Sequence, residues 1–144
     1  GVEVCVTVTL LDGVVLARSA FHHSLNYRSV VILGTATALT DPDEKLAALE
    51  RIVEHVAPGR SAEVRPPNAQ ELRATLVLAV PVTEASAKIR AGGPLDDEDD
   101  YALPCWAGVI PLRLTPLAPV PDARLAGPGA TRTPPAYERP VVTG

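Results

Sequence analysis

Val2, Val4, Val6, Val8 and Leu10 alternate with Glu3, Cys5, Thr7 and Thr9, the period-two pattern of a strand with one buried face. Asp12-Gly13 is a positive-φ turn signal, so residues 14–21 are predicted to return as the antiparallel partner of a tight hairpin. Residues 27–39, rich in Val, Ile and Thr, predict a third and longer strand, with Gly34 marking a bulge or a close backbone approach. Asp41-Pro42-Asp43-Glu44 has the form of a helix start, and Leu46, Leu49, Ile52, Val53 and Val56 follow at helical spacing until Pro58-Gly59. Asn68-Ala69-Gln70-Glu71 predicts a second capping box and a shorter helix. Further strands are expected over 75–82, over 85–90 and over 105–114, the last confined to an edge or a bulge by Pro111.

The pattern gives a mainly β fold with helices: a small antiparallel barrel carrying two connecting helices. Residues 1–114 form the barrel domain. From Thr115 onward, seven prolines in thirty residues predict an extended tail, 115–144, without its own core.

Composition narrows the function. A net charge of -4 over 144 residues, with no Lys/Arg cluster, argues against nucleic acid as a partner. No apolar run approaches the roughly 20 residues that span a bilayer, so no membrane association is expected and the cytoplasm is the default compartment. Cys5 and Cys105 have no metal-type spacing and are expected as free, buried thiols. No metal site is expected. The acidic block 96–100 lacks the glycine-spaced ligands of a calcium loop and is read as a solvated loop of mutually repelling charges. Arginine outnumbers lysine eleven to two, a bias associated with GC-rich bacterial genomes.

Between the second and third predicted strands, residues 19–29 hold two histidines, an asparagine, a tyrosine, an arginine and three serines. Ordinary turns are built from Gly, Pro, Asn and Asp, so this density of donors marks a binding segment. If His22 and His23 lie on a strand they point to opposite faces and cannot share a metal. His55 reads as a solvated residue near a helix C-terminus. Trp106, beside Ala107 and Gly108, reads as core in preference to a ligand contact. No P-loop, dinucleotide glycine fingerprint or Ser-His-Asp order is present, and no catalytic side chain is assigned.

The runs 4–13, 16–31, 99–104 and 106–112 together resemble the flavin-nucleotide-binding proteins related to pyridoxamine 5'-phosphate oxidase. The similarity extends over roughly residues 2–125. It implies an FMN-binding split β-barrel, usually a homodimer with FMN between subunits, acting as an oxidoreductase on a small-molecule substrate. The alternative is a flavin-binding or carrier module without turnover. By this resemblance Arg28 and Ser29 are the first cofactor-binding candidates, followed by His23, Ser24, Asn26 and Tyr27. Arg28 suits an anionic phosphate or a flavin carbonyl because its planar fork makes two charge-assisted bonds.

Family members carry several dozen residues ahead of the strand that begins here, and this portion helps bind the flavin. The chain alone is therefore expected to hold FMN weakly. In the oxidase a C-terminal tryptophan and an Arg-x-His-Asp-Arg-like run meet cofactor and substrate. The equivalent stretch here, 117–125, retains only Arg124, so the resemblance does not extend to oxidation of pyridoxamine phosphate.

Overall fold

The computed structural model describes residues 1–134, which form two compact units: residues 1–37 with 80–114, and residues 38–79 with 115–134. The fold is mainly antiparallel β with two α-helices among the described residues.

The first unit holds an open antiparallel sheet. Its long members are β1 (Val2–Leu16) and β2 (Ser24–Ala38), paired from Val2 opposite Ala36 to Val15 opposite Ser24. β4 (Glu84–Arg90) lies on the free side of β2, and β5 (Gly108–Pro111) lies along the last residues of β1. The two-residue β3 (Leu78–Ala79) belongs to the second unit.

Asp12-Gly13 does not turn the chain. The register shifts between Leu11 and Gly13, which makes Asp12 the extra residue of a β-bulge inside one continuous strand. Gly13 has no positive φ; it is needed for space, because a Cβ there would come within 2.9 Å of Val109 Cγ1 and 3.2 Å of the Ile110 carbonyl oxygen. The reversal falls instead at residues 17–23, through a 3-10 turn at Ala20–His22 whose Ser19 Oγ accepts the Phe21 N–H at 3.3 Å. Gly34 marks a close approach, as expected: its absent Cβ leaves room for Val80 Cγ1, which a methyl would meet at 3.2 Å.

Register divides the β1–β2–β4 surface into two unlike faces. One carries Val2, Val4, Val6, Val8 and Leu10 with Val30, Ile32, Ala85, Ala87 and Ile89; the other carries Thr7, Thr9, Tyr27, Ser29, Ser86 and Lys88. Val8 at 58% and Ile89 at 71% exposure show that the apolar face is uncovered. The packed core is small: Val15, near the C-terminal end of β1, is fully buried, and Ala17 beyond it and Ala36, opposite Val2 at the far end of the pairing, are nearly so.

In the second unit, α1 (Pro42–Val56) starts where Asp41 accepts the N–H groups of Asp43 and Glu44, both at 2.9 Å. α2 (Ala69–Ala74) carries the full capping box, with Asn68 Oδ1 accepting the Glu71 N–H and Glu71 Oε2 accepting the Asn68 N–H. Lys45 Nζ ties the helices together by donating to the Leu72 and Thr75 carbonyls, each at 2.6 Å. The apolar stripe of α1 opens on a cleft of about 570 Å³ lined by Leu46, Leu49, Val53, Val64 and Pro66.

Several expectations are corrected. Of 75–82 only Leu78–Ala79 is strand, and of 105–114 only Gly108–Pro111. Cys5 and Cys105 are exposed, Cys5 because it lies on the polar side of β1, where nothing covers the sheet. Trp106 is 65% exposed, its ring lying against Gly108, where a Cβ would meet Cζ2 at 3.0 Å. The tail carries a 3-10 turn at Gly127–Thr131, and its residues 135–144 lie outside the described residues.

Candidate functional site

The residues nominated from sequence fall into three places. Asn26 and Arg28 share the apolar side of β2, Tyr27 and Ser29 lie on the polar side, and His23 and Ser24 close the reversal.

Arg28 is engaged within the sheet. Its Nε and Nη2 donate to Asp12 Oδ2 and Oδ1, both at 2.9 Å, so the bulge that displaces Asp12 delivers its carboxylate to the facing guanidinium. The Arg28 hydrogen bonds hold the Asp12 carboxyl below the usual carboxylate range, against the opposing effect of desolvation, and Asp12 in turn raises Arg28. Asn26 is buried and satisfied on both ends of its amide: Nδ2 donates to the Gly92 carbonyl at 3.0 Å, and Oδ1 accepts from Arg90 Nη1 at 2.8 Å.

Ser29 belongs to a row of three. Thr9, Ser29 and Lys88 are successive partners across β1, β2 and β4, and Thr9 Oγ1 lies 2.8 Å from Ser29 Oγ. Tyr27 is one step along the same side, with Lys88 Nζ 6.0 Å from its ring centroid. Hydroxyl donors, an ammonium and an aromatic ring thus line one open strip, with Leu11 and Val31 as apolar flanks on the same face. Such a donor set fits a flavin nucleotide: hydroxyls for the ring carbonyls, a cation for phosphate, and apolar surface for the ring system. Thr9 and Lys88 escaped the sequence reading; the period-two register, once β1 and β2 are known to pair directly, puts both beside Ser29.

The histidine turn is a second cluster. His22 and His23 lie on the 3-10 turn and its end, so the strand argument that separates them does not hold. His23 Nδ1 is 2.9 Å from the Ser19 carbonyl oxygen. A carbonyl only accepts, so Nδ1 donates, and in the neutral ring Nε2 keeps the lone pair. His22 Nε2 lies 3.6 Å from Asp97 Oδ2, and its ring meets the 88% exposed Phe21 edge-on, with centroids 5.3 Å apart.

The acidic block is not simply solvated. The Asp96 side chain is fully buried: Oδ1 accepts the Arg18 N–H at 2.9 Å and the Ser19 N–H at 3.4 Å, and Oδ2 accepts Arg18 Nη1 at 3.1 Å. Burial pushes this carboxyl up, but the Arg18 side-chain bond and the two backbone donors outweigh it and hold the group below its ordinary range. The Arg18 guanidinium also lies 4.8 Å from the Tyr101 ring centroid. Residues 98–102 form a 3-10 turn. Among the described residues, no three His, Cys, Asp or Glu side chains converge as a metal site, and no helix is long and apolar enough to cross a membrane.

Residues 1–89 match the family described as pyridoxamine 5'-phosphate oxidase. No curated protein matches the chain. Among solved structures, the flavocytochrome Anf3 from Azotobacter vinelandii is 46% identical with a TM-score of 0.83. The FAD and heme binding protein from Mycobacterium smegmatis is 39% identical with a TM-score of 0.82. Each alignment covers 92% of this chain but only 61% and 64% of those two proteins, so the chain spans less than two thirds of either.

Proposed function

The chain belongs to the pyridoxamine 5'-phosphate oxidase-like family of flavin-binding proteins, with a fold of the split-barrel class, and from that premise we propose that it forms part of a flavin-dependent oxidoreductase. The flavin is held on the strip of Thr9, Tyr27, Ser29 and Lys88. FMN is the form the family resemblance implies, and FAD is the form the Mycobacterium protein is described as binding. The strip suits the isoalloxazine and first phosphate that both contain. Arg28, tied to Asp12, orders the sheet behind it.

One solved relative is a flavocytochrome and the other a FAD and heme binding protein, which supports a haem in addition to the flavin. Haem iron takes imidazole ligands, and the residue of this chain prepared for that role is His23, whose Nε2 lone pair is fixed by the Ser19 carbonyl. His22 and the exposed Phe21 flank it. When both groups are bound, the flavin supplies hydride or electron transfer and the haem accepts single electrons. The protein's residues bind and orient them.

The uncovered face of Val2, Val6, Val8, Val30 and Ile89 is too apolar to stay in water, and a second copy of the chain is its cover. The active form is then a cytoplasmic homodimer acting on a small-molecule substrate.

The observation that carries the reading is the continuous Thr9–Ser29–Lys88 row in a chain of this family. Protein purified with added FMN and FAD should show a visible flavin spectrum, and chromatography of the flavin released on denaturation separates FMN from FAD. Ser29→Ala and Lys88→Ala should each weaken flavin binding about tenfold, the loss of one hydrogen bond to a charged or polar group. A protein that neither retains nor takes up FMN or FAD ends the proposal.

A further inference from the structure

We infer that Asp96 is the positioning residue of the histidine turn. It holds residues 18 and 19 so that the Ser19 carbonyl receives the His23 Nδ1 proton and Nε2 is left as the lone-pair donor.

The turn has little else to hold it. It contains no buried residue, and its one local side-chain cap is Ser19 Oγ to the Phe21 N–H at 3.3 Å. The anchor comes from 78 and 77 residues away in sequence: one carboxylate oxygen accepts two consecutive N–H groups, those of Arg18 and Ser19, while the other accepts Arg18 Nη1. Two adjacent amides pointing at one oxygen fix the peptide between them, and with it the direction in which the Ser19 residue leads into the turn. That residue's own carbonyl takes the His23 ring proton at 2.9 Å and the His22 N–H at 3.1 Å.

The clamp is itself constrained. The Asp96 side chain is wholly enclosed, and Arg18 is pressed over the Tyr101 ring at 4.8 Å with its Nε buried and without an acceptor. Leaving a guanidinium donor unpaired is costly. The arrangement persists because the guanidinium is held between an anion and an aromatic face. The next residue, Asp97, lies by His22, so two consecutive acids serve two consecutive histidines, one through the backbone and one directly. Ring orientation imposed by a carbonyl or carboxylate on the far nitrogen is the usual support of an imidazole ligand.

The inference rests on the reading of His23 as a ligand donor but is tested without the haem. In protein labelled with 15N at histidine, at a pH where the ring is neutral, the His23 nitrogens of the wild type should show Nδ1 protonated and Nε2 bare. In Asp96→Ala the signals should move to an average dominated by the Nε2-protonated tautomer, and haemin affinity should fall roughly ten- to a hundredfold. Tyr101→Leu, which leaves Asp96 in place but frees Arg18, should shift the tautomer balance in the same direction by less. A wild-type His23 protonated on Nε2 overturns the inference, whether or not the variants fold. So does an unchanged tautomer in folded Asp96→Ala. If the tautomer depends on Asp96 but haemin does not bind, the positioning role stands and the haem reading falls.

Discussion

Arg28 and Asp12 join the two long strands through a paired contact, Nε to Oδ2 and Nη2 to Oδ1, each 2.9 Å long, at the bulge where β1 gains a residue. The pair pins register where a slip of one residue would exchange the apolar and polar faces. Because the folded-state pKa of Asp12 lies below its ordinary value of 3.8, its contribution to stability is fully present above that pH. It is lost as pH falls through the lower folded value. Asp12→Asn should therefore lower the melting temperature at neutral pH and flatten the acid limb of the stability profile. Arg28→Ala should do the same while changing flavin affinity less than Lys88→Ala does.

Glu71 makes the same argument in the helical unit. The Arg65 guanidinium, followed by the Asn68 N–H, pulls its carboxyl from 4.5 to about 2. The stability it gives is present above pH 4.5 and fades as pH drops toward about 2. Glu71→Gln should remove that dependence, read by circular dichroism across an acid titration. Asn68→Ala should cost about 1 kcal/mol at all pH values, since it removes the cap and no titrating group.

Gly13 is held by contact with β5, not by backbone conformation. Gly13→Ala should destabilise by about 1–3 kcal/mol through overpacking, because its Cβ would meet Val109 Cγ1 at 2.9 Å. Chemical denaturation should show a lower midpoint. Hydrogen exchange should accelerate first at residues 108–111.

Val15 is the one large side chain fully enclosed among the described residues. Val15→Ala should cost about 2 kcal/mol, from lost burial and the cavity left behind, with an unchanged denaturant slope.

The helices were legible because capping is local chemistry: Asp41 and Asn68 announce α1 and α2 within four residues of sequence. The strand expected over residues 27–39 was legible from its composition and is realised as Ser24–Ala38. Asp12-Gly13 misled because the dipeptide that makes a tight turn also makes a bulge, and nothing in the dipeptide itself decides between them. Asp96 misled because a run of acids reads as repulsion unless one member meets a buried cation, and Arg18 is too distant in sequence to suggest it. Cys5 and Trp106 were expected to be buried in proportion to their apolar character, but the surfaces they occupy are open. Ser29 was nominated by resemblance, whereas the placement of Thr9 and Lys88 beside it required the strand pairing.

The Asp96 anchor also orders events during synthesis. β1 and β2 are complete as soon as residue 38 leaves the ribosome, yet the carboxylate that secures their reversal emerges almost sixty residues later, and β5, which covers the end of β1, later still. Until then the hairpin has no tight turn to nucleate it and must close a loop against its entropy. A nascent chain stopped before residue 96 should remain protease-sensitive through residues 17–23, and one released after residue 114 should not. Closure of the N-terminal hairpin is thus expected to await the C-terminal half, and its apolar strands are open to mispairing in that interval.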